Sequence, residues 1–258
     1  MPRPQARAVV VSALSAGALL AAPACSVSWP DRAASAGPAS PVAPSGGTTR
    51  APAAAPTLTE AQARSALITE ADLGEPWVAT EGFATWRDTM LKASTDSAEC
   101  RRLLDALYAE DLFGPDARTR ASTGLDDTWD GAQLRYRIVA HRPEDVDATL
   151  AWLGSLPDEC GQFSATARGG QLDVEVSEAE MPQVGDARQG LRIVLRGVSD
   201  SDEAPTLTLH LAAVRVGDDA ITVTNGGLAD VPADATWTAV ELGAHRLQEV
   251  RERGRQDV

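Results

Sequence analysis

Apolar residues fall at helical spacing in several stretches. Cys100, Leu103, Leu104, Leu107 and Tyr108 recur at i, i+3, i+4, i+7 and i+8, which predicts a helix burying that stripe, with Asp96 and Glu99 suiting its start. Near the C-terminus a longer helix is predicted from about Asp234, with Trp237, Val240, Ala244, Leu247 and Val250 on one side. Pro143 with Glu144 and Asp145 opens another, in which Val146, Leu150 and Leu153 face inward and Gly154 ends the run. Two short helical turns come earlier: Thr59 with Gln62 forms a capping box, and Ala71-Asp72-Leu73 stops at Gly74.

Alternation marks the strands. Ala117 to Gly124 reads as one, turned by Asp126 to Gly131. In the next, Leu134, Tyr136, Ile138 and Ala140 alternate with Gln133, Arg135 and Arg137. Phe163 to Arg168 and Gln171 to Glu178 flank Gly169-Gly170, a hairpin signal. Leu191, Ile193 and Leu195 alternate again, and Leu207, Leu209 and Leu211 pair across Gly217-Asp218 with Ile221 and Val223. The apolar parity shifts at Ala212-Ala213, from which a β-bulge is expected. Hairpins interleaved with helices predict an α+β domain, an antiparallel sheet with helices on one face and a cleft on the other.

The N-terminal part follows neither pattern. Met1 to Arg7 carries arginines and no acids, Ala8 to Ala22 is almost entirely small or apolar, and the run ends in Ala22-Pro23-Ala24-Cys25. That is the layout of a secretory signal, expected over 1–24. A cysteine after small residues resembles a bacterial lipobox, which implies lipidation of Cys25; the alternative is a plain cleaved signal. Ala22 departs from the leucine that the lipobox prefers.

From Ser26 to Pro56 only Val27, Trp29, Asp31, Arg32, Val42 and Arg50 are not Ala, Pro, Ser, Gly or Thr. Such a stretch buries too little apolar surface to offset its ordering entropy. Residues 25–56 are therefore expected as a disordered tether reaching on the order of 30 Å. The folded domain is expected over 57–252, with 253–258 a frayed tail. With Cys25 set aside, Cys100 and Cys160 remain as an even pair in an exported chain, which points to a disulfide; the alternative is two buried free thiols.

The formal net charge of −14 argues against a nucleic-acid partner, since a phosphate-binding surface needs a basic stripe. Lys92 is the only lysine, so no Walker-type loop or Schiff-base lysine is available elsewhere. No G-x-S-x-G or H-E-x-x-H occurs, and His141, His210 and His245 lie in separate elements, so no enzyme is expected and no cofactor. Asp126, Asp130 and Gly131 echo an EF-hand start, but its twelfth position is Arg137, which fails calcium's ligand chemistry; no metal is expected.

The order of features is similar to the extracellular sensor domains of PknH-like receptor kinases and related actinobacterial envelope lipoproteins. It runs from anchor and tether to Ala71-Asp72-Leu73-Gly74 near Trp77, then a cysteine opening a leucine-rich helix, a second cysteine before a hairpin, a late hairpin and a terminal amphipathic helix. The resemblance covers 57–252. It implies a twisted antiparallel sheet with helices around a cleft for an unidentified ligand, and the Cys100–Cys160 bridge. The family's second bridge is absent, since Pro205 to Gly227 holds no cysteine.

By strand parity Arg135, Arg137, Arg192, Arg196, Thr208, His210 and Thr222 are expected on the sheet face opposite the helices. One reading makes them a solvated face whose arginines pair with Asp173 and Glu175. The other makes Arg135, Arg137, Arg192, Arg196 and His210 a site for an anionic or polar envelope ligand. Trp77, Trp86 and Trp129 are read as core plugs before sugar platforms. The expected protein is a lipid-anchored lipoprotein on the outer face of a cell membrane, binding a small polar or cell-wall-derived ligand. The alternative is a docking module for another envelope protein, with no pocket.

Overall fold

The computed structural model describes residues 58–199 and 204–256. The expected signal, Cys25, the tether and most of the acidic Ser199–Glu203 loop lie outside them. In chain order the elements are α1 (Glu60–Ser65), α2 (Glu70–Leu73), β1 (Trp77–Ala79), a π-helical turn (Arg87–Leu91), β2 (Ala93–Ser94), α3 (Ala98–Ala109), β3 (Arg118–Asp127) and β4 (Gln133–Ala140). There follow α4 (Pro143–Glu159), β5 (Gln162–Ala167), β6 (Gly170–Glu178), β7 (Ala187–Gly197), β8 (Thr206–Val216), β9 (Asp219–Leu228) and α5 (Asp234–Gln256). The strands form one antiparallel sheet in the order β1-β3-β4-β9-β8-β7-β6-β5-β2. Both edge strands are two or three residues long and pair with only Leu125, Asp126 and Asp127 of β3 and with Thr166 and Ala167 of β5, so the rest of each outer edge has no strand partner.

Local chemistry accounts for the element ends. Thr59 and Gln62 cap α1 reciprocally, the Gln62 Oε1 accepting from the Thr59 amide at 2.9 Å. Ser97 caps α3, and Pro143 occupies the first turn of α4. The terminal helix runs on to Gln256.

The α+β class and the antiparallel sheet are as the sequence predicts; the helices, however, divide between both faces. On one, here the front, α3 and α4 pack on Leu172, Val174, Val176, Leu191, Ile193, Leu195, Leu207, Leu209 and Leu211. On the back, α1 and α5 pack on Leu125, Leu134, Tyr136, Ile138, Ala212, Val214, Ile221 and Val223. The β8 strand lies under both layers, so its residues of either parity are buried. That explains the parity shift at Ala212-Ala213 without a bulge: the register of β8 is continuous with both neighbours, and the sheet's register shift lies between Thr119 and Ala121 of β3. The front of β3, β4 and β9 and the back of β5, β6 and β7 are thus left without a helix.

Two contacts lock α5 onto the rest. At Gly243 a methyl group would overlap the buried Tyr136 hydroxyl, so glycine lets the helix lie close against β4. Arg246 grips Asp72 at the end of α2 with two hydrogen bonds, Nη1 to Oδ2 at 2.8 Å and Nη2 to Oδ1 at 2.5 Å, and donates to the Leu67 carbonyl. The Arg246 hydrogen bonds hold the Asp72 carboxyl down at about 2, against the opposing effect of burial. A carboxyl with a depressed folded pKa adds stability above its unfolded value and loses it as pH falls through the folded one. Stability is therefore expected to drop by up to about 2 kcal/mol between about pH 4 and pH 2 on this account. Asp72→Asn should remove that part of the slope in urea titrations at stepped pH.

Candidate functional site

The uncovered front of β3, β4 and β9 forms the floor of a cleft. Alternation along β4 sends Gln133, Arg135, Arg137 and Val139 to this side, opposite Gly226, Thr224, Thr222 and Ala220 of β9. The segment from Thr80 through the π-helical turn, and the loop after α3, rise on either side.

Arg87, from the π-helical turn, is 6% exposed and donates through Nη2 to the carbonyls of Leu107 (3.0 Å) and Tyr108 (2.9 Å). These belong to the last turn of α3, where the helix dipole favours a cation. Burial lowers the Arg87 pKa from its usual value, and the Glu110 carboxylate opposes this. Glu110 caps α3 in the left-handed conformation, φ 54°, an uncommon place for a residue with a side chain. It sets its carboxylate 3.2 Å from Arg87 Nη2 and 3.6 Å from Arg135 Nε. Those are ion-pair distances without hydrogen-bond geometry, since Glu110 Oε1 and Arg135 Nε are both buried with no hydrogen-bond partner. Arg135 also donates to the Gly82 carbonyl at 2.9 Å and lies 4.6 Å under the ring centre of Phe83.

Arg137 differs from both. Its Nη2 donates to the Thr119 hydroxyl at 2.6 Å, and it has no carboxylate partner among the described residues. It lines a cavity of about 330 Å³ with Glu110, Asp111, Phe113, Thr119, Val139 and Thr222.

The expected single arginine face is therefore two half-sites on opposite sides of the sheet. Arg135, Arg137 and Thr222 share the front, whereas Arg192, Arg196, Thr208 and His210 lie on the back, as the pairings Arg137–Thr222–Ala213 and Arg192–His210–Asn225–Leu134 require. On the back, Arg196 pairs with Glu175 at 3.1 Å and Arg192 with Asp230 at 3.4 Å. His210 is buried, donates from Nε2 to the Val231 carbonyl at 2.7 Å and meets the Trp237 ring edge-on. Burial lowers its pKa, with the Val231 hydrogen bond opposing. Arg192 and His210 tie the 229–233 segment to the sheet, Arg196 pairs within the sheet, and none of the three joins the cleft.

Of the tryptophans, Trp86 is buried and Trp77 half-buried, as core plugs, whereas Trp129 stands 75% exposed at the β3–β4 turn. In that turn Asp127 Oδ1 accepts the amides of Trp129 and Asp130. His245 pairs with Glu249 one turn further along α5. Arg87 and Glu110 were not visible in the sequence pattern, because neither lies on a periodic stripe; the αL cap that aims Glu110 leaves no residue-type signature.

An α+β domain with a polar cleft beside a half-covered sheet is the class that fold and site define. No family model matches the chain, and no curated protein matches it. Among solved structures it is similar to the extracellular domain of PknH from Mycobacterium tuberculosis, the family that the sequence layout resembles: 11% identity over 77% of this chain and 99% of that one, TM-score 0.44. It is also similar to a hypothetical protein from Helicobacter pylori (16% identity, 48% and 85% covered, TM-score 0.30). A third likeness is to the Ran-binding protein Mog1p of Saccharomyces cerevisiae (9%, 53% and 77%, TM-score 0.27).

Proposed function

We propose that the protein is a non-catalytic, extracytoplasmic binding module, held to a membrane surface through Cys25 and the 25–56 tether, whose front cleft takes a small polar ligand by a carboxylate or phosphate on Arg137. The leader and tether composition support the location. The observation that carries the ligand chemistry is Arg137 itself: a guanidinium in a cavity, without a carboxylate partner among the described residues, in a chain of net charge −14. Arg87 and Arg135 share Glu110, one of the two carboxylates lining the cavity, so that carboxylate is already engaged by two guanidiniums. The planar fork of Arg137 suits two oxygens of one carboxylate or phosphate, with the Thr119 and Thr222 hydroxyls beside it.

Titrating the domain with inorganic phosphate and with succinate, followed by NMR of the arginine side chains, tests this. Arg137→Ala should weaken binding by at least about thirtyfold, the loss expected for truncating one side of a desolvated charge pair. Arg137→Lys should keep part of it as a point charge, and Arg192→Ala on the back face should leave it unchanged. Unaltered binding by Arg137→Ala, or a wild-type domain that shifts with neither probe, would overturn the reading.

A further inference from the structure

The cleft does not stop at Arg137. Gln133, Arg135 and Arg137 stand on the same side of β4 at two-residue intervals, so the first and last are about 13 Å apart along the strand. At the Gln133 end lies a second cavity, of about 480 Å³, lined by Phe83, Trp86, Asp126, Asp127, Asp130 and Gln133.

Its charge is the opposite of that at Arg137. Asp126 accepts through Oδ1 from the Thr80 hydroxyl (2.7 Å) and the Gln133 amide (2.8 Å), and Asp127 through Oδ1 from two backbone amides of its turn. Neither these two carboxylates nor Asp130 has an arginine or histidine partner among the described residues. No group of acidic, histidine or cysteine side chains among them could hold a metal ion. One further group is unexplained by the protein's own contacts. Trp86, only 5% exposed, lines this cavity with its indole Nε1 buried and unpartnered. Buried donors are as a rule satisfied.

Between the two cavities Phe83 lies over Arg135, its ring 74% exposed and carried on a loop next to Gly82. An exposed aromatic face beside carboxylates is an environment for an organic cation, which gains from both the charge and the ring quadrupole.

We infer that the ligand is an extended zwitterion of roughly four peptide units, its anionic end on Arg137 and its ammonium end at Asp126, Asp127 and Asp130, with its middle passing Phe83. The inference rests on the reading of Arg137 as the anion-binding group. It adds the second cavity, the opposite charge there and the length between them. A fully extended chain of four residues spans about 13 Å, the distance between the two ends of the row.

Calorimetric titration with tetra-alanine, its N-acetyl form and its C-terminal amide separates the two claims. Tetra-alanine should bind, and acetylation should weaken it about tenfold or more by removing the ammonium. Asp130→Ser, which keeps the backbone amide bonded to Asp127 and replaces a carboxylate with no hydrogen bond of its own among the described residues, should bind the free and acetylated peptides within about twofold of each other. Asp127→Asn, which keeps its turn acceptor, should narrow the same gap, and the circular dichroism of both variants should match wild type. Equal affinity of free and acetylated peptide for the wild-type domain overturns the zwitterion while leaving the anion site standing. The same conclusion follows if phosphate binds through Arg137 and no peptide does. Equal affinity of acid and amide removes the anion site, and this inference with it.

Discussion

Replacing Cys100 and Cys160 together by alanine is expected to lower the unfolding free energy by about 4 kcal/mol, the chain-entropy value for a 60-residue loop. Both residues are 1% exposed, Cys100 in the first turn of α3 and Cys160 just past the end of α4. The bridge thus ties together two helices that also meet through Leu103, Leu104, Leu153 and Leu156 in the front core. The loop it closes contains β3, β4 and the segment after α3, which are the floor and one wall of the cleft. Cutting it frees the part of the unfolded chain whose folded form carries Arg135 and Arg137. The effect therefore extends to binding: Glu110 caps α3, and a looser α3 would spread the Arg87–Glu110–Arg135 cluster. Urea unfolding of the oxidised protein, the reduced protein and the double variant measures it. A difference below about 1 kcal/mol would mean that helix packing alone fixes α3.

The elements that depend on one-dimensional periodicity were legible in the chain. The stripe from Cys100 to Tyr108 is α3, the alternation around Leu134 and Tyr136 is β4, and the stripe from Trp237 to Val250 is α5. Each is set by which side of a single element must be apolar. What periodicity along one strand does not carry is which side of the sheet that apolar set faces relative to the next strand. Most apolar residues of β4 and β9 face α5 and most of those of β6 and β7 face α4, whereas β8 carries apolar runs on both sides, Leu207, Leu209 and Leu211 in front and Ala212, Val214 and Val216 on the back. The double parity at Ala212 and Ala213 was the visible trace of that arrangement.

Placing all apolar sets on one face merges Arg135 and Arg137 with Arg192, Arg196 and His210. Assigning opposite faces separates a cleft from a set of structural ties. Glu110 and Arg87 depend on an αL cap and a π-helical turn, both settled by tertiary contacts rather than by residue pattern. Asp126 to Gly131 was readable as an acidic turn, but its place at the far end of the arginine row follows only from the β3–β4 register.

Arg251→Ala is expected to cost about 3–5 kcal/mol at neutral pH, because it strands a buried carboxylate. Arg251 reaches from α5 to the β8–β9 turn, where its guanidinium pairs with Asp219, 2% exposed, and with the exposed Asp218 at 3.4 Å. Burial raises the Asp219 pKa above its ordinary value, and Arg251 opposes this, so removing the arginine raises it further. A carboxyl whose folded pKa exceeds its unfolded value favours the folded state below the unfolded value, about 3.9, and loses that contribution as pH rises through the folded pKa. The deficit of Arg251→Ala relative to wild type should therefore be largest at pH 7 and shrink on acidification toward about pH 4. Adding Asp219→Asn to Arg251→Ala removes the stranded charge and should restore more than half of the loss, so the two substitutions are far from additive. A small loss at pH 7, or a deficit flat with pH, would show that water reaches Asp219 once the arginine is gone. The last turns of α5 would then be held by the packing of Leu247 and Val250 and by the Arg246 clamp on Asp72.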